Sequence, residues 1–382
     1  MYLGRPDARD ALKEKGVIKA LPRYVDIVNK KSYAKYMISK SLQTKYKRSD
    51  KTKDLWEIHE SLLSGFKEYQ DQIDQSRRKP RSTAQSFMSL KVLLAHRVVQ
   101  SCRFCERNCD VNRLRGEKGY CGAGRNFSLF SAFPHMGEEP ELVPSGTIFT
   151  GGCTIRCIHC QNWDISQWRS SGSSVTPEAM TLQVQELVER GCKNINMVGG
   201  DPTPVTWQWL ETMNIMNVNV ATVWKSNSCN GDTSRVARNS GLPLVWNSNS
   251  YYSVETAKLL AGFIDVYLLD FKYGNNKCAT EISDAPGYWE ACTRNHLYAK
   301  KYGELIIRVL VLPEHNECCT RPILQWIHDN LGPMARVNLM FQYRPEWRAR
   351  ERPELSRRLT NQEIAEAKQI AQEIGIKNLV RD

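Results

Sequence analysis

The 382-residue sequence contains no apolar run that approaches the roughly 18 residues a membrane-spanning helix needs. Its first residues, from Met1 to Asp7, also lack the apolar core of a secretory signal peptide. We therefore expect a cytoplasmic protein with no membrane partner. In that reducing compartment the 13 cysteines are poor candidates for disulfides, and clustered cysteines more often bind metal or carry redox chemistry.

Acidic residues are in deficit, since 41 Asp and Glu stand against 53 Lys and Arg and leave a net charge of +12. This balance suits an acidic partner, either nucleic acid, a membrane surface or an acidic protein face, although solvated lysines explain it equally well. Hydrophobic residues make up 41% of the chain, which is ordinary for a globular protein and enough to bury a substantial core.

The chain divides into three stretches of different composition. Residues 1–95 are polar and basic, and apolar residues between Trp56 and Tyr69 recur at helical spacing, which predicts a basic, mainly helical extension. Residues 96–145 are rich in cysteine and glycine and predict a loop-dominated module held together by metal. From 146 to 382 short apolar runs alternate with helix-like stretches, which favours βαβ units and a parallel sheet.

The third stretch predicts the fold class. Its candidate strands lie at 147–150, 195–198, 221–224, 244–246, 266–269, 305–311 and 337–340, and a last helix is expected at 361–374. We predict an α/β protein with an open, partial β/α barrel of about six or seven parallel strands, a Cys-rich metal module and the helical extension before it. In such folds the chemistry collects at the C-terminal ends of the strands.

The most informative motif follows the first candidate strand and has the spacing Cys153-x3-Cys157-x2-Cys160. A tetrahedral zinc site needs four ligands, and with no fourth cysteine just beyond it would have to recruit His159. Thiolates are also the ligands of iron–sulfur clusters. A [4Fe–4S] cluster takes one cysteine per iron, so three cysteines leave one iron open to another ligand.

In its spacing and position this motif resembles that of the radical S-adenosylmethionine (SAM) superfamily. The resemblance implies that Cys153, Cys157 and Cys160 hold a [4Fe–4S] cluster and that SAM binds the open iron. Reductive cleavage would give methionine and a 5′-deoxyadenosyl radical, which abstracts a hydrogen atom. The cofactors supply this chemistry, while the protein orients them and excludes water.

Polar residues after the other candidate strands extend the resemblance. Gly199-Gly200-Asp201 is similar to the family's glycine-glycine-acid motif, whose backbone and acid bind the methionine amino group. Family members place ribose, carboxylate and substrate contacts at the positions of Asn247, Asn249, Asp270, Lys272 and His315. Taken singly, each of these features is also compatible with turn chemistry, helix capping or a solvated side chain.

The order of the motifs resembles the subgroup related to pyruvate formate-lyase-activating enzyme. Matching segments lie at residues 135–140, 145–149, 160–162, 246–249, 270–273, 317–319 and 342–345, and the likeness covers residues 96–382. It implies a protein or peptide substrate, hydrogen abstraction from a backbone Cα, and an electron donor of the flavodoxin or ferredoxin type. The basic charge would suit an acidic docking surface on that partner.

A second cysteine motif, upstream, is formed by Cys102, Cys105, Cys109 and Cys121. Four thiolates can close a tetrahedral site around zinc or a single iron, or hold an auxiliary cluster. We predict a structural second metal, zinc or iron, because a closed set of four thiolates leaves no open position. The remaining cysteines are expected to be buried and inert, with Cys318-Cys319 the pair that could approach the site; they are Cys192, Cys229, Cys278, Cys292, Cys318 and Cys319.

Two rival functions stay open. The substrate radical could be methylated with cobalamin as methyl carrier, although the sequence lacks an Asp-x-His-x-x-Gly cobalamin signature. A metal-stabilised, basic nucleic-acid-binding protein would account for the four-cysteine motif and the charge. It leaves the three-cysteine motif and the strand-end residues unexplained, so nucleic acid is the disfavoured partner.

Overall fold

The computed structural model describes residues 4–76, 78–167, 170–216 and 241–380. The described strands are β1 (Phe127–His135), β2 (Ser145–Thr150), β3 (Ser173–Val175), β4 (Asn194–Gly199), β5 (Leu244–Ser248), β6 (Val266–Asp270), β7 (Glu304–Leu310), β8 (Arg336–Met340) and β9 (Asn378–Leu379). The described α-helices are α1 (Asp7–Asp10), α2 (Lys15–Ala20), α3 (Pro22–Val28), α4 (Lys35–Ser41), α5 (Thr52–Ser76), α6 (Phe87–Gln100), α7 (Trp163–Ser166), α8 (Pro177–Glu189), α9 (Thr206–Ile215), α10 (Val254–Leu260), α11 (Asn276–Ser283), α12 (Tyr288–Tyr302), α13 (Arg321–Leu331) and α14 (Asn361–Ile374).

All nine described strands belong to one open sheet with the order β3-β1-β2-β4-β5-β6-β7-β8-β9. The strands from β2 through β4 to β9 run parallel, whereas β1 and β3 are antiparallel at one edge. Helices lie in the connections between the parallel strands. The predicted fold class, an α/β open partial barrel, is therefore confirmed.

Six of the seven predicted apolar runs are strands of this sheet, namely β2 and β4 to β8. The run at 221–224 and Cys229 lie outside the described residues. Strand β5 is buried along its whole length, as expected for a parallel strand covered on both faces. The predicted C-terminal helix is α14, which begins with a Thr360–Glu363 capping box and ends at the left-handed Gly375.

The basic stretch at 1–95 packs on the barrel. The predicted amphipathic helix is α5, which buries Leu63 and Phe66 among other residues. These side chains share one apolar cluster with Trp246 of β5 and Tyr267 of β6. The extension therefore contributes to the same core as the sheet. No helix in the described ranges is both long and apolar enough to cross a membrane.

The region predicted to be loop-dominated, 96–145, contains the nine-residue strand β1. After Phe127 its residues are only partly buried, and Pro134, a residue type that argues against a strand in sequence, lies within it. The segment therefore lacks the pattern that identifies a strand from sequence. Strand β1 pairs with β2 in antiparallel register, for example Phe133 opposite Thr147. Strand β1 therefore covers the free edge of β2, the first parallel strand.

Candidate active site at the strand ends

A cavity of about 400 Å³ lies at the C-terminal ends of the parallel strands. Its lining includes ten of the predicted site residues: Cys153, Cys157, Cys160, Gly199, Gly200, Asp201, Asn247, Asn249, Asp270 and Lys272. The remaining cofactor-binding candidate, His315, is not among the lining residues. The parallel topology thus brings together motifs that the sequence spreads over more than a hundred positions.

The three cysteines lie in the loop of residues 151–162 that follows β2, which we call the cluster loop. Each sulfur contacts a polar group from a different part of the fold. Asn249 Nδ2 donates to Cys153 Sγ over 3.3 Å, Ser283 Oγ donates to Cys157 Sγ over 2.9 Å, and Ser166 Oγ lies 3.2 Å from Cys160 Sγ. Hydrogen bonds of this kind orient metal-binding thiolates and tune the metal they hold.

Burial governs the protonation of these thiols. It raises the pKa of Cys160 to about 11 and raises the pKa of Cys153 and Cys157 as well. Iron must therefore displace protons when it binds, because only a thiolate is a ligand. Two buried thiols and the partly buried Cys160 beside the cavity fit a [4Fe–4S] cluster with one iron open to that cavity.

His159 lines the same cavity but does not complete a compact metal site with the cysteines. Its Nε2 atom lies 3.2 Å from Tyr273 OH, and burial lowers its pKa to about 3, so the ring is neutral. Among described residues, His159 and the three cluster-loop sulfurs provide no set of three donor atoms within 4.8 Å of one another. The geometry gives no support to a zinc site in which His159 is the fourth ligand.

The two glycines after β4 are required by close packing against the cluster loop. Gly199 has a φ of 142°, and a Cβ atom there would overlap the carbonyl oxygen of Thr150. A Cβ atom on Gly200 would overlap the carbonyl oxygen of Gly152. Gly200 N also donates to Thr150 O over 3.0 Å. Only residues without side chains let the end of β4 approach this loop so closely.

The carboxylate of Asp201 is bonded within the protein. Its Oδ1 accepts from Thr203 N over 2.9 Å, and its Oδ2 accepts from Ser248 Oγ and Asn249 N over 3.0 and 2.8 Å. Burial raises its pKa, while these hydrogen bonds act in the opposite direction. Asp201 therefore fixes the end of β4 to the end of β5, an arrangement that the motif alone does not reveal.

Asn249 performs a similar function for the cluster loop. Besides its bond to Cys153 Sγ, its Nδ2 atom donates to Thr154 Oγ1 over 3.0 Å, and its Oδ1 accepts from Tyr251 N over 2.9 Å. Asn247 Oδ1 instead accepts from Arg308 Nη1 over 3.3 Å. Of the two asparagines, Asn249 holds the cluster loop and Asn247 faces the charged part of the cavity.

Charged groups of both signs line the cavity. Lys272 Nζ lies 2.7 Å from Asp270 Oδ2; burial opposes the lysine charge, but Asp270 raises the pKa of Lys272 above its ordinary value. Arg308 of β7 is paired with Glu138 and donates through Nε to Glu139 Oε1 over 2.7 Å. SAM carries an ammonium, a carboxylate and a sulfonium, so a site for it needs both signs of charge.

Sequence analysis did not single out Arg308. The signal was present, because this arginine interrupts an otherwise apolar run of seven residues from Leu305 to Val311. A charged residue inside a buried strand is rare unless it is paired, and its presence there indicates a functional or structural partner. Glu138 lies in residues 135–140, one of the segments that carry the resemblance, but the sequence did not assign it an individual role.

The four cysteines upstream form a separate unit, the four-cysteine module, which spans residues 102–121. Cys102, Cys105 and Cys121 are buried, Cys109 is partly exposed, and none of them lines the cavity. In the described chain no three of their sulfurs lie within 4.8 Å of one another. The module reaches the cluster loop through arginines: Arg107 Nε donates to Thr154 O over 3.1 Å, and Arg156 Nη2 donates to Tyr120 O over 2.5 Å.

The chain is similar to a family model, to two curated relatives and to a solved structure. Residues 147–327 match the family model of the radical SAM superfamily. "Uncharacterized protein MJ0674" of Methanocaldococcus jannaschii is 38% identical over 93% of this chain and 98% of its own length, and "Uncharacterized protein MJ0808" of the same organism is 25% identical over 66% and 73%. The crystal structure of Streptococcus suis SuiB bound to precursor peptide SuiA is 12% identical with a TM-score of 0.37, over 59% of this chain and less than half, 46%, of the SuiB chain.

The matched range contains the cluster loop and the strand ends around the cavity, apart from the ends of β1 and β8. Membership in this family implies a [4Fe–4S] cluster and SAM as cofactors. The chain therefore belongs to the radical SAM superfamily and is an iron–sulfur enzyme.

Proposed function

We propose that this protein cleaves SAM reductively on a cluster held by Cys153, Cys157 and Cys160, and that the 5′-deoxyadenosyl radical abstracts hydrogen from a backbone Cα of a polypeptide. The reaction would be a protein modification of the activating-enzyme type. The observation that carries the proposal is the shared cavity, in which three thiols and the glycine-glycine-acid motif lie beside charges of both signs.

The proposed SAM site uses the strand ends according to their chemistry. The bare backbone at Gly199 and Gly200 lets a ligand approach the main chain closely. Lys272 offers a cation to the methionine carboxylate, and Asp270 beside it offers a carboxylate to a hydroxyl or ammonium donor. Asp201 is proposed to act mainly by holding β4 and β5 in place, because its oxygens already accept three hydrogen bonds from the protein.

When bound, the cluster and SAM supply the electron transfer and the radical. The chain's own part is to hold and shield them. Cys153 and Cys157 are buried, and donors from Asn249 and Ser283 fix their sulfurs. A site closed to water prevents a reactive radical from being quenched by side reactions.

The proposed substrate class rests on shape and charge. The sheet has a linear strand order and does not close into a full barrel, which leaves space at the strand ends for an inserted loop of a polypeptide. The net charge of +12 favours docking of an acidic protein surface. Reduction of the cluster requires an electron donor, for which a flavodoxin or ferredoxin is the proposed type.

The proposal is tested by reacting anaerobically reduced protein and SAM with candidate partner proteins, such as those encoded beside its gene. We expect an electron paramagnetic resonance signal of a glycyl radical on the partner without a gain in mass. The Cys157→Ala variant serves as the control and should give no signal. A methylene-sized mass gain would instead indicate methylation, and a screen in which SAM is cleaved but no polypeptide changes would argue against the substrate class.

A further inference from the structure

The ends of β6 and β7 bring together a third group of metal-type ligands. Cys278 lies in the first turn of α11, and Cys318 lies in the π-helical turn Asn316–Thr320, a rare conformation that is frequent at functional sites. Their Sγ atoms are 3.9 Å apart. Together with His315 they form the one set of three His, Cys, Asp or Glu donor atoms in the described ranges that lie within 4.8 Å of one another.

The spacing of these donors suits a single small ion. Zinc–sulfur bonds of about 2.3 Å in a tetrahedron place two sulfurs about 3.8 Å apart. A [4Fe–4S] cluster binds each thiolate to a different iron and so holds its sulfurs further apart. Thiolates and a neutral imidazole are the usual ligands of zinc. We propose that Cys278, His315 and Cys318 bind a zinc ion, with the neighbouring Cys319 as the fourth ligand.

The orientation of His315 supports this assignment. Its Nδ1 atom lies 2.7 Å from the carbonyl oxygen of Pro313, and because a carbonyl only accepts, Nδ1 carries the proton. The other ring nitrogen, Nε2, then presents a lone pair, which is the arrangement that metal-binding histidines usually show. The preceding Glu314 has a φ of 64°, a left-handed conformation that is uncommon for a residue with a side chain.

The two loops are fixed to each other by contacts that need no metal. Asn275 Oδ1 accepts from Cys278 N over 2.8 Å, and Asn275 Nδ2 donates to Cys318 O over 2.8 Å. Gly274 packs so closely that a Cβ atom there would lie 2.8 Å from the Cys319 Cα atom. His315 and Cys319 are buried, whereas Cys318 is exposed and Cys278 is partly exposed, which gives an ion a path of entry.

Cys319 Sγ lies 3.9 Å from Cys318 Sγ, on the buried side of the group. It falls outside the compact set of three donors, so the proposed fourth bond requires its side chain to turn toward the other two sulfurs. Each thiol that binds would release its proton to solvent. This assignment also accounts for the adjacent cysteines without giving them a part in the radical reaction.

The proposed ion would act on the cluster loop through α11. This helix begins beside Cys278 and ends at Ser283, whose hydroxyl donates to Cys157 Sγ over 2.9 Å. The Ser283 carbonyl also accepts from Arg156 N over 2.8 Å. Fixing the start of α11 would thus stabilise the end that holds the cluster loop, and the three ligands would be positioning residues for the cluster.

The test is the zinc and iron content per chain of full-length protein purified anaerobically from zinc-supplemented medium. We compare the wild type with Cys278→Ser/Cys318→Ser and with the matched control Cys192→Ser, a buried cysteine just before β4 at the opposite end of the sheet. We expect the double variant to contain one zinc fewer per chain with unchanged iron, and the control to match the wild type. The measurement does not depend on SAM cleavage, so its outcome is independent of the proposed function.

A variant with every cysteine in place covers the case in which the double variant misfolds. His315→Asn should lower zinc affinity by more than about tenfold, as measured by competition with a chromophoric chelator. Repeating the comparison in a Cys109→Ser background separates this ion from any zinc in the four-cysteine module. Equal zinc in the wild type and the double variant would overturn the proposal, and so would a Cys278–Cys318 disulfide in peptide maps of the anaerobic protein.

Discussion

The cluster loop and the four-cysteine module are both rich in cysteine and touch each other, yet they face different surroundings. The three thiols of the cluster loop line a cavity of about 400 Å³. The module's thiols lie outside that cavity. The module contacts the cluster loop through other groups, for example by the hydrogen bond from Arg107 Nε to Thr154 O. Three thiols that open onto a cavity can leave a bound metal with a free coordination position, which suits catalysis. Four thiols away from a cavity can fill every position, which suits structural support.

The position of each cysteine group in the fold matters as well as the number of its ligands. The cluster loop follows a parallel strand, so every neighbouring strand end brings residues toward it. The module precedes the sheet, and its contacts with the strand-end loops, such as the bridge between Cys105 and Tyr252, lie outside the cavity. Arg107 and Tyr120 hold the outside of the cluster loop. We therefore expect changes in the two regions to differ in kind: loss of cleavage for the loop, and graded loss of stability or rate for the module.

The largest expected effect comes from Cys157→Ala. Removing one of the three proposed ligands should abolish SAM cleavage and the electron paramagnetic resonance signal of the reduced cluster. Cys192→Ala, at a buried cysteine just before β4 and outside both regions, is the matched control and should retain both readouts. Cleavage retained in Cys157→Ala would remove the cluster assignment.

A smaller but still severe effect is expected for Gly200→Ala. The added methyl group overlaps the Gly152 carbonyl oxygen, so the end of β4 must move away from the cluster loop. SAM affinity, measured by equilibrium dialysis under anaerobic conditions, should fall more than about tenfold, which is about 1.4 kcal/mol. Gly65→Ala in α5, where a methyl group meets nothing within 4 Å, should bind SAM normally. Unchanged affinity in Gly200→Ala would show that the close packing is dispensable.

An intermediate effect is expected for Cys109→Ser in the module. If the four cysteines bind the second metal that the sequence predicts, loss of one ligand should reduce that metal and lower stability by about 2–5 kcal/mol, seen as a lower thermal midpoint, because metal binding is coupled to folding. At low temperature the cluster signal and a reduced rate of SAM cleavage should persist. Complete loss of the cluster in this variant would contradict the division between a catalytic loop and a supporting module.

The smallest effect is expected for Arg107→Met, which removes a contact between the two regions. The guanidinium of Arg107 bonds to Thr154 O and stacks 3.8 Å from the Tyr120 ring centroid. Each contact contributes roughly 0.5–1 kcal/mol, so losing both weakens the attachment of the cluster loop by about 1–2 kcal/mol. Because neither contact touches the cavity, most of this loss should appear as lower stability, and cleavage should slow by about two- to fivefold. Arg103→Met, whose arginine pairs with Asp110 inside the module, is the control and should have the wild-type rate.

Much of the fold could be predicted because parallel strands such as β6 and, apart from Arg308, β7 contain apolar runs. Strand β1 could not, because partial burial leaves no alternation along it. The glycine pair was found from its motif, but its packing on Thr150 and Gly152 depends on strand register. The contact between Cys278 and Cys318 could not be predicted from sequence for the same reason, because the pairing of two parallel strands brings these distant residues together.

His315 is a strand-end residue whose side-chain position the sequence does not determine. It follows β7 as the resemblance expects of a SAM contact, but its side chain lies with Cys278 and Cys318 and not among the residues that line the cavity. Glu314, which precedes His315, has a left-handed backbone conformation. The sequence gives no clear signal for such a residue. Its assignment therefore depends on the three-dimensional structure.

The most direct test of the account is the reaction of anaerobically purified, reduced wild-type protein with SAM alone, followed by chromatography for 5′-deoxyadenosine. The account predicts a brown protein that releases 5′-deoxyadenosine and methionine. A colourless protein that contains only zinc and leaves SAM intact would contradict it.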